Sequence, residues 1–233
     1  MTLSKSSNNN FINNFDLLRF IFASIVFIVH SSALSLAPEL QFTSNLSSSI
    51  AVKSFFIVSG FLIFMSYERS SNLTQYISKR IRRIYPGYLF VIFFCAILGV
   101  FFSSLDFKDY FTVHWLKYVF FNTFFLNFLK PDLPGLFQDN ILTAVNGALW
   151  TLKIEIMFYI SVPLIVLGIK KYSVPPIFIS IYFLSFLYQL VINLYGGPFA
   201  AELGRQLPGQ LVYFILGRLV ITTRIYLKNI TYF

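Results

Sequence analysis

Apolar runs long enough, or nearly long enough, to cross a bilayer recur along this chain, at residues 15–36, 50–66, 84–103, 147–168, 174–194 and 207–222. A hydrocarbon core about 30 Å thick takes roughly 20 residues of helix. Within it the backbone finds no water, so each crossing segment must satisfy its own amides, and a helix does this. Composition agrees: 57% of residues are hydrophobic, 20% aromatic and only 12% charged, against about 25% charged in soluble proteins. The expected fold is all-α, a polytopic transmembrane helical bundle. A seventh run, 118–130, is short for a crossing and suits a re-entrant or interfacial segment. No polar stretch between the runs is long enough for a soluble domain. Residues 1–14 read as a short Ser/Asn-rich tail without a cleavage signature, and 15–233 as one membrane domain.

Charge placement gives an orientation. With a cytoplasmic N-terminus and no crossing at 118–130, the cluster Lys79, Arg80, Arg82, Arg83, the pair Lys170 and Lys171, and Arg224 and Lys228 all fall inside. Glu39, Asp106, Asp109, Asp132, Asp139 and Glu202 then fall outside, as the positive-inside rule requires. The net charge of +9 is therefore explained mostly by topology, and no nucleic-acid partner is expected. A single cysteine, Cys95, in an apolar run allows no internal disulfide. Two histidines, His30 and His114, show no ligand spacing, so no metal is expected.

Arg19 and His30 stand eleven residues apart in the first apolar run. Eleven steps of helix are about three turns, so both side chains share a face, separated by roughly 16 Å along the axis. An ionisable group at membrane depth costs about 2.5–3.5 kcal/mol and marks a functional site by default. Two plainer readings stand beside it: Arg19 snorkelling to the nearer interface, and His30 as a satisfied histidine of the bundle core.

Two further constellations carry charge into the bundle. Lys79-Arg80-Ile81-Arg82-Arg83 exceeds what topology needs, and Arg80 and Arg83 are placed to grip a pyrophosphate together. Anchoring to anionic lipid head groups is the alternative. Glu155 opens the run that ends at Leu167. Thr151 and Tyr159 lie one turn to either side of it, where their hydroxyls can orient the carboxylate. Pairing of Glu155 with Lys153 or a neighbouring arginine is the structural alternative. Ser59 and Gly60 read as helix packing, since small residues let membrane helices approach closely.

These residues together resemble the acyltransferase-3 family of integral membrane O-acyltransferases, which modify bacterial surface glycans. The resemblance runs in order from Phe15-Asp16-Leu17-Leu18-Arg19 with His30, through Phe55-Phe56-Ile57-Val58-Ser59-Gly60-Phe61 and Arg80-x-x-Arg83-x-x-Pro86. It continues with Leu149-Trp150-Thr151-Leu152 to Glu155 with Phe158, Tyr159 and Pro163, and then the weaker Gln206-Leu207-Pro208-Gly209-Gln210. Threonine stands at 151 where the family has serine, and the last helices of the family's usual ten are expected to be absent.

The resemblance implies a transferase for acyl groups other than amino-acyl groups, in the bacterial inner membrane. Acyl-CoA, most simply acetyl-CoA, would be the donor substrate, with no permanently bound cofactor. Its phosphates would rest on Arg80 and Arg83. Arg19 would position the donor or its thioester carbonyl, oriented by Asp16. His30 would serve as general base or transient acyl carrier, and Glu155 would orient the imidazole or receive a proton. The acceptor would be a hydroxyl of a glycan, such as O-antigen or exopolysaccharide, or of a polyprenyl-linked saccharide, reached among membrane lipids. The same charges would suit a transporter of a small molecule or lipid-linked glycan, and an inactive scaffold remains the third reading.

Overall fold

The computed structural model describes residues 14–35, 37–140 and 142–230, with side chains described as far as residue 219. The expected tail, apart from Asn14, and the side chains of Arg224 and Lys228 lie outside the described residues. The long helices are α1 (Phe15–Ser35), α2 (Ser48–Glu68), α3 (Leu73–Leu98), α6 (Trp150–Tyr172), α7 (Val174–Tyr195) and α9 (Leu207–Ile230). Shorter ones are α4 (Phe107–Tyr110), α5 (Val113–Thr123) and α8 (Ala200–Gly204). No strand occurs among the described residues. Helices α1, α2, α3, α6 and α7 are long and apolar enough to cross a membrane. The chain is thus a polytopic helical bundle.

Two boundaries differ from expectation. The third apolar run was expected to begin at residue 84 with the basic cluster before it. Helix α3 instead starts at Leu73, where the Asn72 side chain caps the Gln75 amide at 2.8 Å. The cluster Lys79–Arg83 therefore lies inside the helix, and its side chains take helical directions. The short run expected at 118–130 forms α5 over 113–123, eleven residues, far too few for a crossing.

The core forms where α2, α6 and α9 meet. Phe214 of α9 stacks on Phe158 of α6, centroids 4.0 Å apart, and on Phe56 of α2 at 4.6 Å. Phe56 meets Trp150, and Phe64 meets Phe158, edge to face. The two pairs advance equally along both helices, so α2 and α6 run parallel and in register. Helices α2 and α9 touch backbone to backbone. A Cβ on Gly60 would overlap the Phe214 carbonyl, and one on Gly217 would overlap the Ile57 carbonyl. That bears out the packing role read for Gly60. Helix α1 lies at the edge, packed on α2, with no buried residue.

A second cluster binds α3 to the segment between α3 and α6. Tyr88, Ile92 and Ala96 pack on Tyr110, Tyr118 and Leu133. At the end of α3 the Ala96 carbonyl accepts hydrogen bonds from Tyr110 Oη at 2.9 Å and Trp115 Nε1 at 2.8 Å. Burial pushes the Tyr110 phenol up to about 12, so it remains a donor at neutral pH.

Candidate active site

Glu155 is the most buried charged residue among the described residues, 3% exposed. One turn later along α6, the Tyr159 hydroxyl donates to its Oε1 at 2.7 Å. From α1, Arg19 brings Nη2 to 3.8 Å of the same oxygen, while its guanidinium lies 4.7 Å above the Phe55 ring of α2. A buried carboxylate needs partners of this kind, because desolvation otherwise costs several kcal/mol.

Tyr159 also links this pair to the basic cluster. The Arg80 guanidinium stands 5.6 Å from the Tyr159 ring centroid, and its Nη2 donates to Ser66 Oγ at 2.7 Å. Arg80 Nε is buried without a hydrogen-bond partner. Pro163 explains how α3 is tied here: it has no N–H, so the Tyr159 carbonyl four residues earlier loses its helical donor. Tyr76 of α3 supplies the replacement, Oη to that carbonyl at 3.1 Å. Arg80, Tyr159, Glu155 and Arg19 thereby form one polar thread through an otherwise apolar bundle. Beside Arg80, an apolar cavity of about 610 Å³ separates α3 from α6, walled by Ile77, Ile84, Ile156 and Ile160.

Other expected contacts are rearranged. Thr151 does not reach Glu155; its hydroxyl turns back to the Ala148 carbonyl at 2.9 Å, the local bond a hydroxyl near a helix start readily makes. Lys153 turns away, over the Phe128 ring at 4.7 Å. Asp16 is exposed, and the carboxylate that holds Arg19 is Glu155. Arg80 and Arg83 do not act as a symmetrical fork, since Arg80 turns into the bundle and Arg83 is exposed on α3.

Glu155 and His30 are not brought together. Glu155 sits against Arg19, and His30 lies about 16 Å farther along α1. The His30 ring is exposed, with Nδ1 2.8 Å from the Val26 carbonyl. A carbonyl only accepts, so this contact puts the proton of the neutral ring on Nδ1 and leaves Nε2 with a free lone pair. The arrangement thus places a tethered cation and carboxylate at one depth and an accessible base three turns away.

One polar group was missed in the sequence. At the end of the bundle where α2 begins and α7 ends, a cavity of about 580 Å³ is lined by Lys53, Ser185, Gln189, Asn193, Gln210 and Tyr213 among others. Ser185, Gln189 and Asn193 recur every fourth residue of α7, a polar stripe in a spanning helix that would have flagged the site.

Comparison with known proteins gives this geometry a family. The profile of the acyltransferase-3 family, described as an acyltransferase domain, matches residues 12–228. An "O-acetyl transferase" of Shigella phage Sf6 is 31% identical over 161 residues, 68% of this chain and 47% of that protein. "Nodulation protein 10" of Rhizobium leguminosarum bv. viciae is 32% identical over 164 residues, 66% of this chain and 44% of that protein. An uncharacterized Haemophilus influenzae protein is 26% identical over 159 residues, covering 65% of this chain and 63% of its own length. The chain spans about half the length of the first two relatives. No solved structure matches it significantly. With a profile match from residue 12 to residue 228 on a polytopic helical bundle, the chain belongs to the acyltransferase-3 family.

Proposed function

We propose that this chain carries the donor-binding and catalytic helices of a membrane O-acyltransferase, which moves an acetyl group from cytoplasmic acetyl-CoA to a hydroxyl of a cell-surface glycan. The observation that supports it best is the thread from Arg80 through Tyr159 and Glu155 to Arg19. It offers fixed positive charge at successive depths, first to phosphates at the Arg80 end and then, at Arg19, to the amide carbonyls of the pantetheine arm, so that the thioester extends beyond Arg19 toward His30. In this reading the N-terminus is cytoplasmic, the membrane is the bacterial inner membrane, and Arg83 adds charge at the entrance.

The reaction needs few groups. Nε2 of His30 takes the proton of the acceptor hydroxyl as its oxygen attacks the thioester carbonyl. The C–O bond forms, the C–S bond breaks, and the proton passes to the leaving thiolate. Arg19 positions the donor, with Glu155 and Tyr159 holding the guanidinium in place. Because Glu155 lies against Arg19 and far from His30, it is assigned the positioning role.

The test is chemical. The chain is expressed in a strain making an unacetylated surface polysaccharide, and the glycan is examined for O-acetyl groups by mass spectrometry. Acetylation that vanishes in His30→Ala and falls in Glu155→Gln is the expected result. An unacetylated glycan, with the protein confirmed in the membrane and acetyl-CoA present, would count against activity of this polypeptide.

A further inference from the structure

The 580 Å³ cavity between α2, α7 and α9 falls within the roughly 300–1,000 Å³ of small-molecule sites. It lies apart from the Arg19–Glu155 thread, and the proposed mechanism makes no use of it. Three helices each contribute polar groups there: Lys53 from α2, Ser185, Gln189 and Asn193 from α7, and Gln210 from α9. Polar residues at such positions in spanning helices are costly unless they face a wet or occupied cavity.

The wall is built rather than incidental. Gln189 Nε2 donates to the carbonyls of Gly204 at 2.9 Å and Gly209 at 3.3 Å, and Gln210 Nε2 donates to Gly204 at 2.8 Å. A Cβ on Gly209 would overlap Gln189, so glycine there is what lets the amide reach its partners. These bonds hold both amides and leave their oxygens as acceptors, suited to hydroxyl donors. Lys53 is the charged residue among the described lining residues, with Nζ 5.4 Å from the Tyr213 ring centroid. Amide acceptors, hydroxyls, one cation and an aromatic face together match a polyhydroxylated ligand bearing one negative charge.

We propose that this cavity binds an anionic polyhydroxyl group, either an acidic sugar residue or the head group of phosphatidylglycerol. The inference rests on the cavity and not on acyl transfer. It is tested by binding, so a failure of the acyltransferase reading leaves it standing.

The experiment is saturation-transfer NMR on the full chain in nanodiscs of phosphatidylcholine, with methyl β-D-glucuronide and the neutral methyl β-D-glucoside as probes. The glucuronide is expected to receive roughly threefold or more the transfer of the glucoside, as one weakly screened ion pair allows. Lys53→Met should abolish that preference, and Asn193→Leu should weaken both sugars. Unchanged helicity by circular dichroism would show that the variants fold. If replacing half the lipid with phosphatidylglycerol suppresses the glucuronide signal, the head group is the occupant; if the signal persists, the sugar is. No transfer to the glucuronide in phosphatidylcholine, equal transfer to both sugars, or a preference unchanged in Lys53→Met overturns the proposal.

Discussion

Arg19 Nη2 lies 3.8 Å from Glu155 Oε1, joining the edge helix α1 to the core helix α6 at the depth where Tyr159 also bonds the carboxylate. Removing one partner of a buried pair costs about 3–5 kcal/mol, but Arg19 is 19% exposed, and partial hydration lowers the expected loss to about 1–3 kcal/mol. Arg19→Met should destabilise more than Glu155→Gln. The first strands a carboxylate that is almost fully buried, whereas the second keeps an oxygen to accept from Tyr159. The double variant should recover part of the loss, with a coupling of about 0.5–3 kcal/mol. Thermal unfolding of the four proteins in one detergent measures this, and strictly additive losses would show that the pair contributes nothing.

The glycine contacts predict a sharper contrast. Gly60→Ala and Gly217→Ala force α2 and α9 apart at points where backbone meets backbone, and overpacking of this kind costs typically 1–3 kcal/mol or more. Gly87→Ala is the control, because an added Cβ there meets nothing within 4 Å on a helix. It should be neutral or stabilising by up to about 1 kcal/mol. Midpoints of unfolding that rank Gly87→Ala at or above wild type and the other two well below it are the expected result.

The legible parts of this molecule are those encoded by neighbours in sequence. Apolar runs specify the spanning helices, and one-turn spacing correctly joins Tyr159 to Glu155. The start of α3 was missed because residues 73–83 are amphipathic, and the Asn72 cap, a local signal, was outweighed by the apolar run that begins at residue 84. Which carboxylate holds Arg19 was not readable, since Asp16 is near in sequence and Glu155 is near only after α1 docks beside α6. Lys53 stayed hidden for the same reason, a lone charge near the start of α2 until three helices close around one cavity, whereas the every-fourth-residue stripe of α7 was a local signal that went unread.

Asn122 carries the connection between α3 and α6. It is 1% exposed; its Nδ2 donates to the carbonyls of Tyr118 and Lys130, both at 2.8 Å, and its main-chain carbonyl accepts from Tyr88 Oη at 2.7 Å. Asn122→Ala leaves the Lys130 carbonyl without this donor in a buried setting, at about 1–3 kcal/mol. Asn122→Asp should be worse at neutral pH, since it sets a carboxylate against carbonyl oxygens. Limited proteolysis between residues 99 and 149 should speed up in the order wild type, Ala, Asp. Equal cleavage of all three would mean that the segment is held elsewhere.

Arg80 and Arg83 separate two accounts of the basic cluster. If its work is only to anchor lipid head groups, the exposed Arg83 should matter at least as much as Arg80, whose guanidinium turns inward to Ser66 and Tyr159. If the cluster binds donor phosphates at the mouth of the polar thread, Arg80 should dominate. A charge-assisted hydrogen bond there contributes about 1.5–3 kcal/mol, or roughly 10- to 150-fold in affinity. Arg80→Gln should raise the KM for acetyl-CoA by at least tenfold and Arg83→Gln by about threefold or less, read from thiol release by the protein in nanodiscs. Arg80→Lys should restore little, because an ammonium does not reproduce a planar group bonded to Ser66 while stacked beside an aromatic ring. Restoration of the wild-type KM by lysine would reduce the role of Arg80 to its charge alone.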